Sequence, residues 1–537
     1  MNMTNRKTPT WAKLAWPLVL AAAALFPSFA TAQPATVVRV EQGELAGKML
    51  ENGMTAFLGV PYAKPPVGEL RWRSPEPPAS WSGVRPATEF SHAAVQSKNP
   101  ENGPWDHHWH PDPPFVEDCL TLNVWTPAKA GANLPVAFWI HGGGLTQGGS
   151  SSETYNGATF ARLGVVFVSI NYRLGVPGFF AHPALSAESP DHVSGNYGLQ
   201  DAVAALRWVR SNIARFGGDP GKVTIIGQSA GGRTVQALLF SPRAKGLFHG
   251  AIAESSIPWV MPRPGGDATL AQLEKAGEEY ARAKGATTLE ALRKVPESAL
   301  AVPLGGVGAN PEIPGSSYPT GFAVDGVWLP KQTSDAVNET PVSDVPVLIG
   351  HNQDEGDIRL PLNQKVPVAN FQKRVQDVYG ARAAEFLALY PITGDDAARV
   401  QQASGHDRVL FGVRQWALRR TAHAKNPVYM YNFGHAMPGY TKEKWGSFHT
   451  AEVPYWMKTY RVLGRPFTAD DETVSNVMST YWINFIKTGN PNGGGLPAWK
   501  PVNASEAQLM ELSAKSGMRP ITSDARIEGF FTRMYPR

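Results

Sequence analysis

The sequence contains very little cysteine and no long run of a single chemical type. Among its 537 residues the only cysteine is Cys119, so an intrachain disulfide cannot form. There is no run of lysines and arginines, no internal repeat and no low-complexity segment. These absences exclude a disulfide-stapled scaffold and a repeat architecture, and they argue against a nucleic-acid-binding surface.

Long apolar stretches are also absent, except near the N-terminus. Three basic residues precede an apolar stretch from Leu14 to Phe26, and small residues follow at Ala30-Thr-Ala32. This pattern predicts a secretory signal peptide over residues 1–32, cleaved before Gln33. Pro17, Pro27 and the short apolar core argue against an uncleaved membrane anchor.

The export signal changes the charge balance and the expected location. It carries three basic and no acidic residues, so its removal lowers the formal net charge from +5 to +2. A nearly balanced surface is not typical of nucleic-acid-binding proteins. Export without disulfides predicts a bacterial protein of the periplasm or the medium.

Apolar runs that predict strands alternate with helical patterns along the rest of the chain. The strands are predicted near 136–141, 165–171, 223–228, 248–254, 345–350 and 428–433, after short antiparallel strands within 36–60. An apolar stripe predicts an amphipathic helix from Leu199 to Phe216. The alternation predicts an α/β fold with a large, mostly parallel central sheet flanked by helices, and a small N-terminal antiparallel sheet.

No segment has the composition of a linker to a detachable domain, so residues 33–537 are expected to form one domain. Helical patterns near 267–321 and 366–425 are expected to be cap insertions that shape a pocket. Within the first insertion, the stretch 301–321 is rich in proline and glycine and is expected to loop over the entrance.

The strand predicted near 223–228 leads directly into the pattern Gly-x-Ser-x-Gly, centred on Ser229. A serine at the apex of a tight strand-to-helix turn has its hydroxyl pushed out of the sheet and its backbone strained. Gly227 and Gly231 flank it because a Cβ at either position would crowd the turn. The pattern predicts that Ser229 is a nucleophile for acyl transfer.

A second glycine-rich segment lies upstream, where the strand near 136–141 ends in His141-Gly-Gly-Gly144. A glycine loop after a strand leaves backbone N–H groups free to point at a developing negative charge. An ordinary glycine turn is the alternative interpretation. We predict that the amides of Gly143, Gly144 and Ala230 form an oxyanion hole.

An acid and a base are required after the serine, in that order along the chain. Asp354 and Glu355 follow the strand near 345–350 and reach the same sheet edge, although either could be a solvated loop charge. His449 lies in a loop before an aromatic-rich segment. Four other histidines compete for the role of base, namely His351, His406, His423 and His435.

Together with further motifs, these segments make the chain resemble the type-B carboxylesterases, the carboxylesterase and cholinesterase family of α/β-hydrolases. The matches extend over nearly the whole chain after the signal peptide. The additional motifs are Phe57-Leu-Gly-Val-Pro-Tyr-Ala63, Leu70-Arg-Trp72, Glu117-Asp-Cys-Leu-Thr-Leu-Asn-Val124, Asn171-Tyr-Arg-Leu-Gly175, Gly195-Asn-Tyr-Gly-Leu-Gln-Asp201, Phe216-Gly-Gly-Asp-Pro220 and Tyr481-Trp-Ile-Asn-Phe485.

The resemblance implies a serine carboxylesterase, a hydrolase that cleaves a carboxylic ester through an acyl-enzyme intermediate. It selects Glu355 over Asp354 as the acid and His449 as the base, which gives a Ser229–Glu355–His449 triad. No cofactor and no metal are implied, and the partner is a small-molecule ester. The resemblance also implies two structural ion pairs, Arg71 with Glu117 and Arg173 with Asp201.

Two positions depart from the family pattern. Gln228 precedes the serine where many relatives have glutamate, and we expect this change to tune activity without abolishing it. The family often pairs the cysteine of Glu-Asp-Cys with an earlier cysteine, but Ala93-Ala-Val95 occupies that region here. The loop between must therefore be held by packing.

That loop contains the unusual run Trp105-Asp-His-His-Trp-His-Pro-Asp112. Its spacing fits no standard zinc pattern, so no metal is expected, and a plain surface loop is the simplest interpretation. The corresponding loop in relatives borders the mouth of the active site. Trp109 and His108 are therefore candidate substrate contacts, by stacking or hydrogen bonding.

The substrate is expected to be an aromatic ester or a polycarboxylic-acid ester, and the sequence does not distinguish acyl-side from alcohol-side specificity. Arg359, Arg408 and Arg414 follow the acid in cap-like segments and could bind a carboxylate-bearing ester, although surface arginines are the simpler interpretation. A lipase-like enzyme acting at oil–water interfaces is one alternative function. A non-catalytic binding protein of the same family is another, and the presence of all three triad residues argues against it.

Overall fold

A sheet of 13 strands forms the centre of the fold in a computed structural model that describes residues 36–535, except 52, 99–102, 128, 257–266, 302–317, 359, 440, 507 and 522–523. The described residues belong to one compact unit. The predicted signal peptide and cleavage site lie outside the described residues, as does most of the predicted entrance loop 301–321.

The strands belong to this sheet and to two short two-stranded ladders, β5–β6 and β12–β13. In chain order they are β1 Thr36–Val40, β2 Gly43–Met49, β3 Thr55–Pro61, β4 Val84–Pro86, β5 Ala93–Ala94, β6 Phe115–Val116, β7 Thr121–Thr126, β8 Leu134–Ile140, β9 Val166–Ile170, β10 Gly218–Gln228, β11 Gly250–Glu254, β12 Ala268–Thr269, β13 Ala323–Val324, β14 Val347–Asn352, β15 Val428–Phe433, β16 Gln508–Leu512 and β17 Gly517–Pro520.

Helices cover both faces of the sheet. They are α1 Ala158–Ala161, α2 Gly175–Phe179, α3 Pro183–Glu188, α4 Tyr197–Asn212, α5 Ala230–Phe240, α6 Leu270–Ala283, α7 Leu289–Arg293, α8 Thr333–Ala336, α9 Val368–Tyr379, α10 Ala383–Leu389, α11 Ala398–His423, α12 Lys442–Trp445, α13 Val453–Trp456, α14 Ala469–Thr488 and α15 Ala525–Met534. Among the described residues, no helix is both long and apolar enough to cross a membrane.

The sheet order is β1-β2-β3-β7-β9-β8-β10-β11-β14-β15-β16-β17, with β4 beside β2. Strands from β9 to β16 in this order pair in parallel, and the other pairs in this order are antiparallel, whereas β4 is parallel to β2. The middle strands are buried on both faces, which is why they are continuous apolar runs and not alternating ones. The predicted strands of the core are confirmed, and the N-terminal antiparallel strands continue into the large sheet.

The amphipathic helix predicted from Leu199 to Phe216 is α4, which continues as a 3-10 turn over Ile213–Phe216. The residues of its apolar stripe are all buried in the main core, namely Leu199, Val203, Leu206, Val209 and Ile213. The two predicted insertions contain α6 and α7, and α9 to α11, respectively.

Parallel pairing brings three functional loops to one edge of the sheet. β8 ends one residue before the glycine loop, β10 ends one residue before Ser229, and β14 ends shortly before Glu355. β8, β10, β11 and β14 are consecutive neighbours, so the loops at their carboxyl ends are adjacent.

Both predicted ion pairs are confirmed and buried. Arg71 Nε and Nη2 lie 2.7 and 2.5 Å from the two carboxylate oxygens of Glu117. Arg173 Nε and Nη2 lie 2.8 and 2.7 Å from those of Asp201. The Arg71 guanidinium also donates to the carbonyl of Arg293 at 2.8 Å, which ties the first insertion to the body.

The loop that lacks its disulfide is closed by backbone pairing. β5 and β6 form a two-residue parallel ladder, Ala93 with Phe115 and Ala94 with Val116. Cys119 is a buried free thiol beyond this ladder. The side chain of Gln96 adds a second tie, because its amide exchanges two hydrogen bonds of 2.8 Å with the backbone of Gly148.

Helix α11 packs directly on the loop that carries Glu355. A Cβ added at Gly405 would lie 2.5 Å from the carbonyl oxygen of Gly356, which is closer than real Cβ contacts allow. Only a glycine at this point of the helix lets the two backbones approach.

We therefore predict that Gly405→Ala destabilises the protein by ~1–3 kcal/mol, although alanine is the better helix former. Gly529→Ala in α15 is the matched control, because its Cβ would meet only the mobile end of Arg533, at 3.2 Å. The control should gain up to ~1 kcal/mol from helix propensity alone. Denaturant unfolding of both variants measures the two changes, and shifts of equal sign would contradict the close-packing account.

Candidate active site

Ser229 sits in a strained turn between β10 and α5. Its φ is +57° and its ψ is −120°, a backbone conformation that non-glycine residues rarely adopt. Its N–H donates to the carbonyl of Glu254 at 2.9 Å, and its carbonyl accepts from the N–H of Arg233 at 2.9 Å. A Cβ at Gly231 would lie 2.1 Å from the carbonyl oxygen of Ile140, so the turn is pressed against the end of β8. This is the strand-to-helix geometry predicted from the sequence.

The glycine loop lies beside the serine. A Cβ added at Gly142 would be 3.0 Å from the Cβ of Ser229. Gly143 and Gly144 both have positive φ, +106° and +66°. Within the described residues, the amides of Gly143, Gly144 and Ala230 donate no hydrogen bond to the protein. Ala230 is also the first residue of α5, where the helix dipole favours negative charge.

His141 supports this loop from below. Its ring is fully buried, stacks on Tyr172 at a centroid distance of 4.6 Å, and has Nδ1 2.8 Å from the carbonyl oxygen of Gly142. Burial lowers the pKa of His141 to about 4, so the ring is neutral at physiological pH. The Tyr172 hydroxyl donates to the carbonyl of His141 at 2.8 Å.

His449 and Glu355 are in direct contact. His449 Nδ1 lies 2.6 Å from Glu355 Oε2, and both side chains are buried. The other carboxylate oxygen of Glu355 accepts the N–H of Asn352 at 3.0 Å. On the opposite side of the ring, His449 Nε2 lies 3.4 Å from the amide nitrogen of Gln228. Because Gln228 adjoins Ser229, this contact places Nε2 of the ring beside the serine turn.

Asp354, the competing carboxylate, is used differently. Its Oδ2 accepts the N–H of Ser447 at 2.9 Å, and its own N–H donates to the carbonyl of Ser447 at 3.1 Å. It therefore holds the loop two residues before His449, and within the described part of the chain the hydrogen bond and ion pair of the imidazole Nδ1 are with Glu355 instead. Burial raises the pKa of this carboxyl above its usual range.

The competing histidines have other environments. His351 is fully buried on β14, and burial lowers its pKa well below the usual value. His406 on α11 packs near it, at a centroid distance of 5.4 Å. His435 Nε2 is 2.8 Å from Asp471, and His423 is exposed at the end of α11. Of the five candidates, His449 is the one that contacts both Glu355 and the residue next to Ser229.

A pair of buried carboxyl groups behind the site has no sequence motif of its own. Glu452 accepts hydrogen bonds from the side chains of Asn352 and Ser255, and Glu254 accepts the indole N–H groups of Trp456 and Trp482. Burial, and then the neighbouring charge of Glu355, raise the pKa of Glu452 to about 7. Burial and Glu452 raise the pKa of Glu254 well above its usual range.

The Trp105–Asp112 run folds over the loop that carries His449. Trp109 is buried against Phe448 at a centroid distance of 6.0 Å, and His108 Nδ1 is 2.9 Å from Asp106. Ligand atoms of Asp106, His107 and His108 lie within 4.8 Å of one another, the one such group in the described part of the chain. Arg465 binds the same Asp106 carboxylate at 3.4 Å, and this cation disfavours a metal ion there.

The three arginines singled out for a carboxylate-bearing ester are not equivalent. Arg414 forms an ion pair with Glu528 of α15. Arg408 lines a cleft that also includes Gly356 and Phe371. Arg359 lies outside the described residues.

The raised pKa of Glu452 predicts a pH-dependent stability. Between about pH 4.5, the usual value, and about 7 the folded protein binds more protons at this carboxyl than the unfolded chain does, so stability falls as the pH rises. In wild type the free energy of unfolding should fall by on the order of 1–3 kcal/mol across this window because of Glu452. Glu452→Gln should remove this fall and leave only the pH dependence that is due to Glu254. Urea unfolding from pH 5 to 8 measures the free energy of unfolding of wild type, of Glu452→Gln and of the control Glu443→Gln, whose side chain is exposed. The same dependence on pH in all three proteins would contradict the raised pKa of Glu452.

Comparison with known proteins identifies the family of the chain. The profile of the carboxylesterase family matches residues 34–528. The chain is 33% identical to a fumonisin B1 esterase of Sphingopyxis macrogoltabida over 94% of this chain and 91% of the relative. It is 35% identical to a phenmedipham hydrolase of Pseudarthrobacter oxydans over 88% and 94% of the two chains. A human cocaine esterase is 34% identical over 90% and 88%.

A solved structure supports the fold. The crystal structure of a Geobacillus stearothermophilus carboxylesterase superposes with a TM-score of 0.74 at 32% identity, covering 90% of this chain and 97% of the other. The predicted α/β architecture is thereby confirmed, as is the resemblance drawn from the sequence motifs. The chain belongs to the carboxylesterase family and is a carboxylic ester hydrolase with the α/β-hydrolase fold.

Proposed function

We propose that this protein is a serine carboxylesterase that works through an acyl-enzyme on Ser229. His449 Nε2 takes the hydroxyl proton while Ser229 Oγ attacks the ester carbonyl, and a tetrahedral oxyanion forms. The alcohol leaves when His449 returns the proton to its oxygen. Water then attacks the acyl-enzyme with the same base, which releases the carboxylic acid and restores Ser229.

The remaining residues stabilise charge in this cycle. Glu355, bound to Nδ1 of His449, fixes the tautomer that leaves Nε2 free and stabilises the imidazolium. The amides of Gly143, Gly144 and Ala230 are directed at the oxyanion. Losing one such donor typically costs ~10²–10³-fold in rate. No metal or organic cofactor takes part in the proposed steps.

One observation carries the proposal, namely that His449 spans the distance between a buried carboxylate and the serine turn. Its Nδ1 is bound to Glu355 at 2.6 Å, and its Nε2 faces Gln228 at 3.4 Å, one residue from Ser229. The imidazole is thereby bound by a carboxylate at Nδ1 and lies beside the serine turn at Nε2, which is where a base for the Ser229 hydroxyl is needed.

The different roles proposed for Glu355, which binds His449, and Asp354, which binds the backbone of Ser447, give a direct test. Ser229→Ala should reduce kcat by at least ~10⁴-fold, and Glu355→Gln by ~10³–10⁴-fold, because it removes the anion that orients the base. Asp354→Asn keeps an oxygen that can accept the Ser447 N–H, so we expect a loss within about tenfold.

The measurement is kcat and KM of the purified variants on a soluble chromogenic ester. Wild-type activity no faster than the Ser229→Ala blank would overturn the esterase mechanism and favour a non-catalytic binding role. A larger loss from Asp354→Asn than from Glu355→Gln would instead reverse the choice of acid. Activation by emulsified over dissolved substrate would favour the lipase-like alternative.

For the substrate we propose an ester of an aromatic acid over one of a polycarboxylic acid. The polyacid alternative depends on arginines that can bind a second carboxylate; Arg414 is already paired with Glu528, which leaves Arg408, in the cleft beside Gly356, as its described candidate. The aromatic alternative is supported by Trp105, whose half-buried ring lies against Phe448 beside His449. A higher kcat/KM for a neutral aromatic ester than for its carboxylate-bearing analogue is expected. The opposite preference, weakened by salt, would favour the polyacid ester.

We also propose that the enzyme is exported and acts in the periplasm or medium as a single domain, with its two insertions forming the cap. The N-terminal pattern supports export, and the packing of α11 on Gly356 supports a cap near the acid. N-terminal sequencing of the mature protein should begin at Gln33.

A further inference from the structure

Four consecutive carbonyl groups in the loop carrying His449, those of residues 447–450, accept hydrogen bonds. Ser447 accepts from the N–H of Asp354 at 3.1 Å, and Phe448 from the side chain of Asn352 at 2.7 Å. Thr450 accepts from the N–H of Val453 at 3.1 Å. The carbonyl of His449 itself accepts from Trp105, whose indole Nε1 is 3.2 Å away.

Trp105 contacts the loop at a second atom. The same indole N–H is 2.7 Å from Oγ1 of Thr450, so it is shared between two acceptors. Thr450 has a φ of +82°, an unfavourable conformation for a β-branched residue. A strained backbone persists only where its surroundings over-determine it, and here the shared indole N–H is one of those restraints.

The tryptophan is itself fixed on its other sides. A Cβ at Gly103 would lie 2.9 Å from the indole ring, so the chain packs flat against it. The ring meets Phe448 edge to face at a centroid distance of 6.5 Å. Next to it, buried Arg465 reaches the carbonyl of Pro104 and the carboxylate of Asp106, both at 3.4 Å.

We propose that Trp105 is a positioning residue for His449, acting through its indole N–H on the backbone of the base. Glu355 fixes the rotation of the imidazole ring, and Trp105 fixes the position of the main chain from which the ring projects. The two restraints come from segments far apart in sequence, since Trp105 and His449 are separated by 344 residues. This role rests on the proposed function, in which His449 is the general base.

The role also explains how a chain without the loop disulfide aligns its catalytic parts. Gln96 binds Gly148, four residues after the glycine loop, and Trp105 binds the loop that carries His449, so one segment contacts both regions. The β5–β6 ladder closes the base of this segment by backbone pairing. Displacing a catalytic group by about 1 Å can cost on the order of 10²-fold in rate.

Trp105→Phe tests the proposal, because it removes the N–H and keeps an aromatic ring in place. We expect kcat to fall ~10- to 100-fold while KM changes less than about threefold. Trp81→Phe is the matched control, since half-buried Trp81 also donates its indole N–H to a carbonyl, that of Glu44 at 2.9 Å, in the N-terminal strands. The control should keep kcat within about twofold and lose comparable stability.

A spectroscopic readout separates positioning from general destabilisation. The short hydrogen bond between His449 Nδ1 and Glu355 should give a far-downfield proton resonance in wild type. We expect Trp105→Phe, but not Trp81→Phe, to shift or broaden it. If Trp105→Phe does not fold, Thr450→Val is the deciding variant, because it removes the Oγ1 acceptor of the indole N–H and keeps the shape of the side chain. We expect this variant to lower kcat about threefold to tenfold.

Wild-type kcat and an unchanged downfield resonance in Trp105→Phe, or in Thr450→Val where that variant decides, would overturn the proposal. Equal losses of kcat in Trp105→Phe and Trp81→Phe would also overturn it, because they would indicate lost stability alone. Failure of the proposed function is a separate result, recognised when wild type is no faster than Ser229→Ala.

Discussion

Ser229 holds a left-handed backbone conformation between the last residue of β10 and the first residue of α5, and its surroundings are built to maintain it. The N–H of Ser229 is bound to Glu254 on β11, and the following turn is pressed onto the carbonyl of Ile140 at the end of β8. The turn is thus fastened to both neighbouring strands. Strain of this kind costs on the order of 1–3 kcal/mol, and the surrounding sheet offsets it.

The other residues of the proposed site come from strands and loops on either side of this turn. The glycine loop comes from the strand on one side of β10, and Glu355 comes from the second strand on the other side. His449 arrives from a loop with no strand of its own, so it depends on hydrogen bonds for its place. Asp354, Asn352 and Trp105 supply them from two separate parts of the chain. The proposed base is therefore the member of the site that most needs support.

Much of the fold and part of the site could be predicted from the sequence, for identifiable reasons. Buried parallel strands leave apolar runs that need no partner to be recognised, and loops after such strands meet at one edge of the sheet. Ser229 and the glycine loop were predictable because their motifs are contiguous. The choice between Asp354 and Glu355 was not predictable from spacing, because adjacent residues follow the same strand. The family resemblance favoured Glu355, and the geometry shows Asp354 bound to the backbone of Ser447.

Contacts between distant segments were not predictable. Glu254 and Glu452 lie on separate segments, and neither belongs to a sequence motif that predicts a pair of buried carboxyl groups. Trp105 looked like part of a surface loop, and only folding brings its indole to His449. The absence of an intrachain disulfide was predictable from the single cysteine, but the β5–β6 ladder that closes this loop was not, because two-residue strands leave no periodic pattern.

The most direct test of the serine mechanism is to find which residue reacts with an organic fluorophosphate, a reagent that phosphorylates an activated serine with loss of fluoride. The enzyme is treated with diisopropyl fluorophosphate, and activity and intact mass are followed together before peptide mapping. If Ser229 is the nucleophile, we expect one adduct per chain, on Ser229, and we expect it to form in proportion to the loss of activity. Complete inactivation with Ser229 unmodified, or full modification of Ser229 with activity retained, would contradict it.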